Sequence, residues 1–175
     1  MELFKNEPYL IDKPIGEMQD YLEDNLPWLD NIYGRVQTLT RNGGKYPAFK
    51  GCENDYRDLC PDEALGNYAF FQVKDPLTIK DFSPHIKNNL SSEVSIVLWF
   101  DINSVEPDAS TEKIKGDILS VIGDISIKSG QFVPESVYET DIFRGFSIVE
   151  DKTQYLMFPY YGFKITGTLY YKELC

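Results

Sequence analysis

Between positions 94 and 100 the chain reads Val-Ser-Ile-Val-Leu-Trp-Phe, bracketed by Glu93 and Asp101. Side chains alternate across an extended strand, so Val94, Ile96, Leu98 and Phe100 share one side while Ser95, Val97 and Trp99 share the other. Both sides are largely apolar. A short run this rich in branched and aromatic residues predicts a strand in the middle of a sheet.

Upstream, Ile15, Met18, Leu22 and Leu26 recur at three- and four-residue spacing, which predicts a helix with Pro14 in its first turn. Pro27 ends it, because proline has no amide hydrogen and biases the preceding residue towards extended backbone. Trp28, Leu29, Ile32 and Tyr33 then carry apolar groups into the sheet. Residues 35–40 and 45–49 flank Asn42-Gly43-Gly44 and predict a hairpin, with Pro47 placing its strand at an edge or beside a bulge. Residues 51–66 carry Glu53, Asp55, Asp58, Asp62 and Glu63 without apolar period and read as a solvated loop. Residues 68–73 predict a further strand stopped by Asp75-Pro76, and residues 77–92 a long connection, the first place to seek a partner site.

After the central strand, Glu106-Pro107 is a stop and Ser110 a candidate N-cap, with Glu112 near the favourable end of the helix dipole. Ile114, Ile118, Val121, Ile122 and Ile125 then fall on one stripe, the clearest helical pattern in the chain. Gly130 and Pro134 interrupt the next stretch, Val137-Tyr138 pairs briefly, and residues 142–146 fit either a helical turn or a bend. Residues 154–158 start a hairpin turning at Pro159-Tyr160. The chain closes on strict alternation: Tyr161, Phe163, Ile165, Leu169 and Tyr171 against Lys164, Thr166, Thr168, Tyr170 and Lys172. This predicts a half-buried strand in which Gly167 marks a bulge or a close approach. Without repeats or linkers, residues 1–175 read as a single α+β domain: an antiparallel or mixed β-sheet with two main helices packed on one face.

Composition narrows the function. At 175 residues, 42% hydrophobic and 14% aromatic, the chain can bury a core without metal or disulfide. A net charge of -11 argues against sequence-specific nucleic-acid binding, which needs a basic surface. The start, Met1-Glu2-Leu3-Phe4-Lys5-Asn6-Glu7, lacks the pattern of a signal peptide, and no stretch reaches the length of a membrane span, so the expectation is a protein made in the cytoplasm. Cys52, Cys60 and Cys175 then read as free thiols, and the Asn89-Leu90-Ser91 acceptor tripeptide has no meaning.

No chemistry-bearing pattern stands out. His85 is the only histidine, in a loop beside Pro84 with no nucleophile motif near it. Cys52, Cys60, His85 and Cys175 lack the close ligand pairs of structural zinc, and the acidic cluster lacks the order of a calcium loop. Gly43-Gly44-Lys45 is no phosphate loop, since Leu39 stands where a glycine belongs and Tyr46 replaces the Ser or Thr that holds magnesium. Glu139 with Asp141, or Glu150 with Asp151, are commonplace pairs among 28 acidic residues. The aromatic groups Phe70-Phe71, Trp99-Phe100 and Tyr160-Tyr161 fit core and interface better than base stacking. The expectation is a non-enzyme without cofactor or metal. Tyr160, Tyr161, Tyr170 and Tyr171 put amphipathic groups on both strand faces, and with Phe82, His85, Asn88 and Asn89 of the long connection they are the candidate interaction residues.

The combination of Leu26-Pro27-Trp28-Leu29-Asp30, Ser95-Ile96-Val97-Leu98-Trp99-Phe100-Asp101, Ile142-Phe143-Arg144-Gly145-Phe146-Ser147 and the run from Phe158 to Thr168 resembles small structural proteins of tailed phages and prophages of gut bacteria. The likeness is to the tail-terminator or head-tail completion (connector) class and spans most of the chain. It implies a small sheet-and-helix protomer assembling into a ring, usually a hexamer, at the end of a tail tube. The implied partners are copies of itself and other tail or connector proteins, and the implied place is the virion; with the chain's acidic charge, the expectation is that long loops and sheet edges make the contacts between subunits and that an acidic lumen repels passing DNA. A small-molecule or peptide binding module, with the aromatic strands as pocket floor, is the alternative.

Overall fold

The computed structural model describes residues 9–50, 55–83, 86–106, 108–148 and 154–172. The chain runs α1 (Asp12–Asn25), β1 (Asn31–Arg35), β2 (Gln37–Arg41), β3 (Gly44–Lys50), β4 (Tyr56–Asp58), β5 (Tyr68–Ser83), β6 (Ile86–Asp101), α2 (Ile102–Val105), α3 (Thr111–Gly123), β7 (Gly130–Tyr138) and β8 (Tyr160–Lys172). One sheet has the order β1-β5-β6-β8-β7 and a smaller one the order β2-β3-β4. The fold is α+β, and β6 is the middle strand of the main sheet.

The alternation of β6 sorts its side chains between two cores. Val94, Ile96, Leu98 and Phe100 meet Ile15, Met18 and Leu22 of α1 and Ile114, Ile118 and Ile122 of α3, so both long helices cover this face. Val97 and Trp99 enter a second core with Tyr68, Phe70, Tyr33, Phe49, Leu59 and the segment carrying Ile142, Phe143 and Ile148. The main sheet is therefore covered on both sides.

Local signals hold at both helices. The α1 ladder ends where Pro27 dictates: the Leu26 N–H still donates to Leu22 O, with Leu26 at φ -125°. Ser110 caps α3 by accepting from the Lys113 N–H. The turn between β2 and β3 uses Asn42 at φ 51° and Gly43 at φ 77°, the left-handed backbone that asparagine and glycine tolerate.

The structure corrects several expectations. The strand starting at Tyr68 does not stop at Asp75-Pro76: β5 passes through them with a register shift between Lys74 and Thr78, which absorbs the proline's missing donor. Residues 77–92 are accordingly no loop but the outer part of a hairpin of two 16-residue strands. Pro47 lies in the middle strand of the small sheet; β4 pairs only residues 48–50, and Pro47 itself accepts from the Leu59 N–H. Residues 130–138 form one continuous edge strand, with Pro134 and Gly130 accommodated and a bulge between Pro134 and Ser136. Residues 154–158 do not pair with β8; they turn, and β8 starts at Tyr160.

The acidic region after Gly51 contains β4, a 3-10 turn at Glu63–Leu65 and the fully buried Leu59. Gly167 marks a close approach, as expected: a Cβ there would strike Val133 O and the Phe132 ring opposite the β7 bulge. Residues 1–8, Cys52, Glu53, Pro84, His85, Pro107, Glu150, Asp151 and Cys175 lie outside the described residues, so the expectations attached to them end there.

Candidate interaction surface

Two ends of the hairpin behave differently. At its base, Asn67 ties four elements together: its Nδ2 donates to Trp28 O (3.0 Å) and Ser104 Oγ (2.7 Å), and its Oδ1 accepts from the Asp101 N–H (2.8 Å). Its backbone N–H donates to Asp30 Oδ2 (2.8 Å), and its carbonyl accepts from Asp30 and Asn31. The base is thus fixed by polar bonds to surrounding elements. An amide hub of this kind specifies one arrangement because every group in it is matched.

Outwards, cover is lost. β1 pairs with β5 only along residues 68–71, while β5 runs on to Ser83 against β6 alone. Leu77 and Ile79 on that outer part are 44% and 54% exposed. Opposite this stretch Leu90 and Ser91 of β6 pair onward with Tyr171 and Tyr170 of β8, so along this arm β5 is the edge of the sheet, and aliphatic side chains held open on an edge strand are features of a surface that awaits a neighbour.

The candidate residues divide accordingly. Phe82 lies on β5, and Asn88 and Asn89 on β6, all on this arm; Asn89 pairs with Asp81 and with Lys172. His85 falls outside the described residues. The tyrosines sit elsewhere, along β8. Tyr171 is buried in the helix-side core, its hydroxyl 3.3 Å from Ser92 Oγ, and burial pushes its pKa up. Tyr161 packs edge-on to Phe163 and donates to Glu139 Oε2 at 3.4 Å. Tyr160 stacks on Trp99 at 4.7 Å, and a hydrogen bond to Glu63 raises its pKa to about 12. Tyr170 is half-buried opposite Ser91 and Gln131. Tyr160, Tyr161 and Tyr171 are engaged within the protomer, while Asn89, opposite Lys172, lies one position along the β6–β8 ladder from the pair of Leu90 with Tyr171.

Lys164 is the residue that alternation misplaces. It lies on the polar side of β8, which the sequence pattern assigns to water, yet it is only 4% exposed. Its Nζ donates to Gln72 Oε1 (2.8 Å) and to Arg144 O (3.0 Å). The cover is the segment 141–148, pinned to β3 by Ser147 N–H to Lys45 O and by Lys45 N–H to Ser147 Oγ. Burial, reinforced by the charge of Lys74, lowers the Lys164 pKa to about 8. The amine holds a turn to the sheet; no signal in the alternating sequence reveals that a layer covers it.

The remaining charged contacts are structural ties. Lys115 bridges Glu112 and Glu139, both at 2.6 Å, joining α3 to the chain just past β7, and these bonds raise its pKa. Burial and then Asp58 push the Cys60 thiol up, away from the range of a reactive thiolate. Among the described residues no group of three His, Cys, Asp or Glu side chains is arranged to hold a metal ion, and no helix is long and apolar enough to cross a membrane. Comparison of the chain with protein-family models and with curated proteins finds no match.

Proposed function

We propose that this chain is a non-catalytic assembly subunit of a phage or prophage particle, of the tail-terminator or head-tail completion kind, that forms a ring with copies of itself. The observation that carries it is the hairpin of two 16-residue strands, anchored at its base by Asn67, in which β5 runs on past the end of β1 with Leu77 and Ile79 open. An edge of this type gains from a neighbour, because its open backbone offers a strand to pair with and its apolar side chains leave water there. Packing of the sheet on both faces also favours this reading over a pocket on the aromatic strands, since Trp99, Tyr68 and Phe70 are consumed by ring contacts inside the molecule.

Light scattering coupled to size exclusion, followed by negative-stain imaging, tests the reading on the full chain. The expected result is a closed ring of fixed copy number that also binds tail-tube protein. A strict monomer at high concentration that ignores tail-tube protein overturns it.

A further inference from the structure

The main sheet has two strand edges without a neighbour among the described residues. One is the outer edge of β7, the last strand in the order; the other is the outer edge of β5 beyond Phe71, where β1 ends. They lie on opposite sides of the sheet. Because β5 and β8 both run antiparallel to β6, and β7 antiparallel to β8, β7 is antiparallel to β5. A second copy set beside the first in the same orientation therefore offers its β5 antiparallel to β7, and the alternation of strand direction carries on across the boundary.

Resting on the assembly reading above, we propose that neighbouring copies join head to tail, the β7 edge of one pairing with residues 72–83 on the β5 arm of the next. Backbone hydrogen bonds supply the attraction and side chains the selectivity, as in strand addition generally. The lengths suit: β7 has nine residues, and the open part of β5 is long enough to receive them. Both edges carry exposed apolar side chains, Leu77 and Ile79 on the arm and Val133, Val137 and Tyr138 on β7. Both are also irregular, with β5 shifting register after Lys74 and β7 bulging after Pro134. Such interruptions keep an edge from recruiting arbitrary strands, so a partner must match them.

Charge selects between the possible pairings. In sequence, the open stretch of β5 balances Lys74 and Lys80 against Asp75 and Asp81, whereas β7 carries Glu135 and no Lys or Arg. Two β7 edges placed together in a symmetric dimer hold two acidic groups and no cation, while β7 against the arm adds as many cations as acids. A head-to-tail contact uses two different surfaces, so repetition closes a ring or grows a filament.

Mixing two complementary variants of the full chain tests this. The first, Val133→Lys with Val137→Lys, damages β7; the second, Leu77→Lys with Ile79→Lys, damages the arm. All four side chains are exposed, and circular dichroism and melting check that each variant stays folded. Each variant alone is expected to assemble at least about tenfold more weakly than the unsubstituted chain, as judged by light scattering. Mixed one to one, they are expected to form dimers, because one intact β7 then meets one intact arm. If either variant alone assembles like the unsubstituted chain, or the arm variant alone forms dimers, the proposed pairing is wrong while the assembly reading stands. If the unsubstituted chain never assembles, both are wrong.

Discussion

The two faces of the main sheet are built from different chemistry although one strand, β6, supplies both. The helix side is filled mainly by Ile, Leu, Val, Met and Phe. The opposite side gathers Tyr33, Tyr68, Trp99 and Tyr155, with Lys164 and Ser95 buried nearby. Apolar burial on the first side is non-directional and tolerant of detail. The second side adds directional polar bonds: Trp99 Nε1 donates to Tyr155 O at 2.7 Å, and Tyr68 Oη donates to Leu59 O at 3.1 Å. Burial pushes the Tyr68 pKa well above its ordinary value, keeping it a neutral donor. One face therefore provides bulk stability, and the other fixes which loops lie on the sheet.

Single substitutions probe this contrast. The largest effect is expected on the helix side. Phe100 is fully buried and contacts the rings of Trp28 and Phe163, so Phe100→Ala should lower unfolding free energy by about 3–5 kcal/mol, read from urea denaturation. A loss under about 1 kcal/mol would mean this core is not the main one.

On the other side the signature is pH. With the folded pKa of Lys164 at about 8 against 10.5, the folded state loses its proton first, so between those values the unfolded state binds more protons and stability rises with pH. The penalty of the buried charge is fully present below pH 8 and relieved towards 10.5. Lys164→Met removes this contribution, and its stability relative to the parent should fall by about 1–3 kcal/mol in total across that window, allowing for solvent screening. Tyr and Cys titrations are common to both proteins and cancel in the difference. A flat difference across the window would show that Lys164 is not desolvated.

The smallest effect is at Ser95, whose hydroxyl is buried and finds no partner among the described residues. Ser95→Ala should stabilise the protein by about 1 kcal/mol, seen as a higher denaturation midpoint, because an unmatched buried hydroxyl only costs desolvation. Destabilisation instead would reveal a hydrogen bond at that site.

Legibility follows the same division. The stripe of Ile114, Ile118 and Ile122 and the period of Ile15, Met18 and Leu22 announce their helices because one amphipathic face is a local property. The outer hairpin is hidden because Pro76 and the polar residues around it look like a stop, and only pairing with β6 carries the strand through. Of the candidate surface, the arm is legible as a place in the chain but not as a strand. The β8 tyrosines are legible as large amphipathic groups, but the engagement of Tyr160 with Trp99 and of Tyr171 with Ser92 depends on distant elements.

By itself the sequence determined the α+β class, the two helices with the stop of the first at Pro27 and the cap of the second at Ser110, the central position of β6 and the close approach at Gly167, since each rests on neighbouring residues and their steric preferences. Only the tertiary structure decided that β5 continues past Pro76 and that β8 is covered on its polar side. It also decided that Lys164 is buried and that β7 and the arm are left as open edges on opposite sides of the sheet. Those outcomes depend on which segments lie beside or above a strand, and a chain read one residue at a time carries the periodicity of a face but not the identity of what covers it.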